Sequence, residues 1–208
     1  MNQMRQINPK YLEKNKVEEL KKTFISNKPF AHLELDNFFT KEFCNNLLEA
    51  LSKQGFYFKD SDLFKLSQTN DLSSTKNKVL KEAYKFLASK EFIQFMESLT
   101  NLKLKSGKID LAGSLYSDTN YLLCHDDQLE GRKIAFLIYL TDFKESEGGS
   151  LNLFSSKKNL PDKVLKKIIP KFNKFAFFEV SDISFHEVEE VIVDKQRLAL
   201  GGWFHGKD

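Results

Sequence analysis

The sequence is poor in the side chains that usually carry metal, disulfide or redox chemistry: 208 residues contain two cysteines and four histidines. Cys44 and Cys124 supply neither a disulfide framework nor a paired-cysteine zinc site, and Cys124 is expected to be a buried thiol in a reducing compartment. No apolar run approaches the length of a membrane span, and the N-terminus has no hydrophobic signal core. No membrane partner is expected, and the location is read as cytoplasmic, or nuclear in a eukaryotic host. An excess of one charge is also missing. The 32 basic and 29 acidic residues are well mixed and leave +3, too little to imply direct nucleic-acid binding. Phosphate-binding glycine loops and Ser-His-Asp patterns are absent as well.

What is present fits one domain with a substantial core. Residues 1–15 are polar and expected to be loosely held; residues 17–25 have helical apolar spacing and end before Pro29. The chain divides into an N-terminal extension and helix over 1–29 and a main domain over 30–208. A first strand is expected over 30–35, then a helix capped by Thr40 with Phe43, Leu47, Leu48 and Leu51 on one face. Residues 55–77 mix aromatic and polar side chains and read as a mobile loop or lid. Helical spacing returns over 79–99. From residue 105 onward the pattern is β: alternation over 109–116, a buried run over 134–140, and further strands at 151–154, 175–180, 187–193 and 197–203. Residues 155–173, rich in Lys and Pro, read as a surface excursion. Helices followed by many short strands give an α+β chain whose β part is a sandwich or jelly roll, with the N-terminal helices packed on one face. The 20 phenylalanines predict an aromatic core.

The stretch Tyr121-Leu122-Leu123-Cys124-His125-Asp126-Asp127 is a strand running into a loop. It presents His125 and Asp127 toward one point, which is two thirds of a metal site. The remaining histidines are His32, His186 and His205. His186 stands eleven residues before Arg197, and His125, Asp127, His186 and Arg197 together match a 2-His-1-carboxylate triad with a distal arginine, as in non-heme Fe(II) oxygenases. His205 is assigned a structural or rim role and His32 a packed one. Asp126 points away from Asp127. In a strand, Arg197, Ala199, Gly201 and Trp203 share one face, so the arginine has room to meet an anion through its two-pronged fork. Tyr116 and Tyr139 either add donors to the same ligand or are core tyrosines. Such a triad leaves positions open for a chelating 2-oxo acid and O2, so C–H hydroxylation coupled to decarboxylation of 2-oxoglutarate is the chemistry expected.

Several separated segments resemble one family: residues 122–127, Glu130-Gly131-Arg132-Lys133-Ile134-Ala135-Phe136, Gly148-Gly149, Phe177-Phe178-Glu179-Val180-Ser181, Ser184-Phe185-His186, Arg197-Leu198 and residues 202–206. They are similar to the catalytic domain of the eukaryotic 2-oxoglutarate- and iron-dependent ribosomal prolyl hydroxylases; Asp62-Leu63-Phe64-Lys65, Gln68 and Asp71-Leu72 resemble the lid of that domain. The resemblance implies a double-stranded β-helix catalytic domain over 30–208, with iron on His125, Asp127 and His186 and the distal carboxylate of 2-oxoglutarate on Arg197. It implies Tyr116 and Tyr139 as residues holding the cosubstrate and Leu123 as a lining of its pocket. The cofactor set is Fe(II), 2-oxoglutarate and O2, with ascorbate as a stimulant, and the implied partner is a small-subunit ribosomal protein. Those eukaryotic proteins carry a second, degenerate β-helix domain, whereas this sequence stops at Asp208. Two other functions remain open: an oxygenase acting on a free amino acid or other small molecule, and a non-catalytic interaction domain.

Overall fold

The computed structural model describes residues 4–129 and 131–207. Residues 1–3 and Asp208 lie outside it, as does Glu130 from the family-like segments. Four α-helices come early: α1 (Lys14–Ser26), α2 (Lys41–Ser52), α3 (Lys78–Leu87) and α4 (Lys90–Thr100). Strands β1 (His32–Asp36), β2 (Tyr57–Asp60) and β3 (Phe64–Gln68) are interleaved with them. Eight more follow: β4 (Leu104–Tyr116), β5 (Tyr121–His125), β6 (Arg132–Tyr139), β7 (Leu151–Lys157), β8 (Leu160–Ile168), β9 (Lys174–Glu179), β10 (His186–Val188) and β11 (Arg197–Gly206).

The helix starts follow their caps. The hydroxyl of Thr40 accepts from the Phe43 amide at 3.3 Å, the side chain of Asn77 accepts from Leu80 N at 3.2 Å, and Ser89 Oγ accepts from Phe92 N at 3.2 Å. Ser89 therefore splits the helical run over 79–99 into α3 and α4, because its side chain satisfies an amide that a continuing helix would pair.

All strand pairings are antiparallel, in the order β1-β9-β6-β11-β4-β3-β5-β10-β7-β8, with β2 attached to β3. The sheet curls over on itself at β3, which pairs through Phe64 with Leu122 of β5 and through Ser67 with Leu115 of β4. A larger sheet (β1-β9-β6-β11-β4) faces a smaller one (β5-β10-β7-β8). This is the expected jelly roll with its helices on one face. Between those helices and the larger sheet lie Phe92 of α4, Phe38 and Phe39 ahead of α2, and Phe136, Phe175, Phe177 and Phe204 of the strands, each no more than 2% exposed. The rings pack with specific geometry, including Phe136 on Phe204 at 4.5 Å and Phe38 on Phe175 at 4.8 Å between centroids. At Gly202 the strands β11 and β4 approach so closely that a Cβ would lie 1.8 Å from the Asp110 carbonyl oxygen, so only glycine fits.

Four expectations are corrected. The N-terminal stretch is docked from residue 4 onward: Ile7 bridges to Phe39 and is 1% exposed, and the Tyr11 hydroxyl donates to the Asp36 carbonyl at 2.7 Å. Its few apolar side chains anchor it despite polar neighbours. Of the two readings for residues 55–77, the loop is replaced by a hairpin of β2 and β3 that joins the sheet. Residues 155–173 contain the end of β7 and all of β8, a largely exposed edge strand whose backbone pairs with β7 and whose Lys166 reaches Glu34 of β1. The strand expected over 187–193 is regular only at His186–Val188. Among the described residues no helix is long and apolar enough to cross a membrane.

Candidate metal centre and active site

His125 closes β5 and His186 opens β10, and the two residues pair directly across the ladder. Leu122 pairs with Val188, so three steps on β5 match two on β10. This bulge turns both Leu122 and His125 into the space between the sheets. It also overturns the expectation for Leu123, which is 47% exposed and gives its amide to the Leu63 carbonyl at 2.8 Å. Leu122 lines the pocket instead. Two residues past His125, Asp127 has φ +61°, a left-handed turn that swings its carboxylate back toward the imidazoles.

The result is a cluster whose ligand atoms all lie within 4.8 Å of one another. His125 Nε2 is 3.5 Å from Asp127 Oδ1, and His186 Nε2 is 3.3 Å from Oδ2. Each Nδ1 is held at 2.8 Å by a main-chain carbonyl, that of Leu123 for His125 and that of Ser184 for His186. A proton on Nδ1 donates to that carbonyl, which leaves the Nε2 lone pairs aimed at the centre. Burial alone would raise the Asp127 carboxyl, yet hydrogen bonds and charge from the two histidines hold it far below the usual carboxylate range. Burial pushes His125 down, but Asp127 outweighs it and the net direction is up. An anionic oxygen and two imidazole nitrogens are the donor set that an open-sided Fe(II) site requires.

A cavity of ≈ 270 Å³ runs from this cluster to Arg197, between the sheets. Arg197 is fully buried; its Nε donates to the Gly149 carbonyl at 2.7 Å and an Nη donates to the Tyr139 hydroxyl at 3.4 Å, while Nη1 has no partner among the described residues. A buried guanidinium nitrogen without an acceptor is costly and marks where an anion belongs. Tyr116 and Tyr139 pack their rings 4.9 and 5.1 Å from the guanidinium carbon. Burial pushes the Tyr116 hydroxyl up to about 12 and raises that of Tyr139, so both stay protonated. The clearance beside Arg197 comes from Gly149, where a Cβ would sit 3.1 Å from Arg197 Cδ; the space at Gly201 is filled by Leu137. Sequence reasoning had assigned that clearance to Ala199 and Gly201.

The other histidines take the roles expected of them. His32 is 3% exposed with Nδ1 on the Phe30 carbonyl, and His205 sits with Nε2 3.2 Å from Asp110 Oδ1. Cys124 is only half-buried, and its thiol is pushed up to about 11, mainly by desolvation. Two residues next to the cluster were not singled out from sequence. Trp203 Nε1 donates to Asp127 Oδ2 at 3.0 Å, and Arg132 lies 3.4 Å above the Trp203 ring and 3.6 Å from Asp127 Oδ1. The period-two pattern of β11, which puts Trp203 on the face of Arg197, was the available signal.

Residues 111–205 match the model of the 2OG-Fe(II) oxygenase superfamily. The chain carries a domain of this superfamily. Its members use Fe(II), 2-oxoglutarate and O2. Prolyl 3-hydroxylase OGFOD1 of Xenopus laevis is 38% identical over 186 residues, covering 88% of this chain and 36% of that protein. Prolyl 3,4-dihydroxylase OGFOD1 of Ostreococcus tauri is 32% identical over 203 residues, covering 88% and 39%. The chain thus spans little more than a third of the length of these curated relatives. The crystal structure of a Pseudomonas putida prolyl-4-hydroxylase superposes with a TM-score of 0.74 at 14% identity, covering 92% of this chain and all of that one, a likeness of fold.

Proposed function

We propose that this oxygenase hydroxylates a prolyl residue of a protein, with a small-subunit ribosomal protein as the first candidate and the cytoplasm, or the nucleus of a eukaryote, as its place of action. The observation that carries the reading is the partnerless Nη1 of buried Arg197, in one cavity with the His125, Asp127 and His186 cluster. His125, Asp127 and His186 would hold Fe(II), and Arg197 would take the far carboxylate of 2-oxoglutarate, assisted by the Tyr139 hydroxyl. When bound, iron and the cosubstrate supply O2 activation coupled to loss of carbon dioxide from the 2-oxo acid. The chain's own side chains then orient and enclose. Main-chain carbonyls fix both imidazoles, Trp203 and Arg132 fix the Asp127 carboxylate, and Phe64, Leu66, Leu151, Phe178 and Val188 keep the space dry. The substrate class rests on the named prolyl hydroxylases aligned over most of the chain.

The test incubates the iron-loaded protein with 2-oxoglutarate and proteins extracted from small ribosomal subunits. The expected result is succinate together with a mass gain of one oxygen on a proline. Succinate that ignores every added protein but responds to a free amino acid would replace this substrate by a small molecule. No succinate at all would leave an interaction domain.

A further inference from the structure

We infer that the free edge of β2 receives the substrate polypeptide as an added antiparallel or parallel strand, which leads the reacting proline into the cavity. This rests on the prolyl-hydroxylase reading above. Among the described residues β2 pairs only with β3, and all four of its residues are exposed. It nevertheless belongs to the cavity wall, because Lys59 lines the cavity beside Phe64, Leu66 and Gln68 of β3. Lys59 Nζ is anchored on Gln68 Oε1 at 2.7 Å, so the lip is held in shape.

The ladder specifies which groups the edge offers. Ser61 N donates to the Phe64 carbonyl at 2.9 Å, and the register pairs Asp60 with Lys65, Lys59 with Leu66, Phe58 with Ser67 and Tyr57 with Gln68. Hydrogen-bonded pairs alternate along an antiparallel ladder. Tyr57 and Lys59 are therefore spent on β3, whereas the N–H and C=O of Phe58 and Asp60 point away from the sheet. Tyr57 is 56%, Phe58 60% and Leu63 43% exposed, which gives an incoming chain apolar surface on both sides of the edge. A proline-containing segment suits this edge. The residue before proline prefers the extended region, and proline, having no N–H, falls where the ladder ends while its neighbours pair.

The probe is a library of end-blocked nonapeptides with one central proline, screened with the iron-loaded protein. For the peptide turned over best, Phe58→Pro removes an outward amide while leaving every β2–β3 bond, and should raise KM at least tenfold. Phe58→Ala keeps the amide and should change KM less than threefold; uncoupled succinate formation should be unaltered in both. In parallel, amide exchange is followed with Zn(II) and 2-oxoglutarate bound, so that nothing reacts. Added peptide should slow exchange at Phe58 and Asp60 at least tenfold, with little change at Tyr57 and Lys59. Equal KM for the two variants, or unprotected Phe58 and Asp60 amides, would overturn the inference and leave β2 an ordinary protected edge, with the oxygenase reading intact. A library that yields no hydroxylated peptide would overturn the substrate reading, and this inference with it.

Discussion

The two faces of β11 differ more than any two regions of the molecule, although they share one backbone. Leu198, Leu200 and Phe204 face the helices in a core filled by stacked and tilted phenylalanines. Arg197, Ala199, Gly201 and Trp203 face the space between the sheets, where a cavity reaches Arg197, whose Nη1 has no partner among the described residues. Stability is concentrated on one face and chemistry on the other. Function here can be lost without loss of the fold, and the fold weakened without loss of the ligand set.

The largest separation should come from His186→Ala, with His125→Ala and Asp127→Ala alike. Iron content by elemental analysis and 2-oxoglutarate turnover should fall to background, with a far-UV spectrum and melting temperature close to those of the parent. Collapse of the fold in all three would erase the distinction between the faces. On the opposite face, Phe204→Ala should cost about 3–5 kcal/mol in denaturant unfolding, since an aromatic side chain leaves a void among fixed rings. Iron bound per folded molecule should be unchanged. Arg197→Ala should weaken 2-oxoglutarate binding by about 2–5 kcal/mol, because the distal carboxylate loses a buried, charged partner; titration calorimetry with Zn(II) in place of iron reads this directly. An unaltered affinity would return Arg197 to a structural role.

The smallest effect concerns Glu34, where β1 meets β8 and β9. Burial tends to raise its carboxyl, but ion pairs with Lys166 and Lys174 hold it below the usual range. A depressed folded value means that the stabilisation is complete above the unfolded glutamate range and is lost as pH falls through the folded value. Urea midpoints measured from pH 6 down to pH 3 should therefore drop less steeply for Glu34→Gln than for the parent. Equal slopes would place the acid sensitivity elsewhere.

Much of this was legible in sequence because spacing maps directly onto geometry. Arg197 shares a strand face with Trp203 and needs only the period of two to be placed, while His125 and Asp127, two residues apart at a strand end, are close enough for the left-handed turn at Asp127 to bring them together. Leu123 was misplaced because the bulge in β5 depends on register with β10, sixty residues away, and no local pattern encodes it. Residues 55–77 and 155–173 were misread because exposed edge strands lack apolar alternation; their pairing comes from the partner strand. Arg132 contacts Asp127 only after β6 has entered the sheet beside β11.

The division of labour along β11 also limits how this gene can drift. Side chains of a strand alternate strictly, so one residue inserted or deleted between Arg197 and Trp203 would exchange the two faces for part of its length. It would send a charged or indole side chain into the phenylalanine core and a leucine into the cavity. Substitutions can be sampled one at a time along this segment, but its length is fixed twice over, by the fold and by the chemistry.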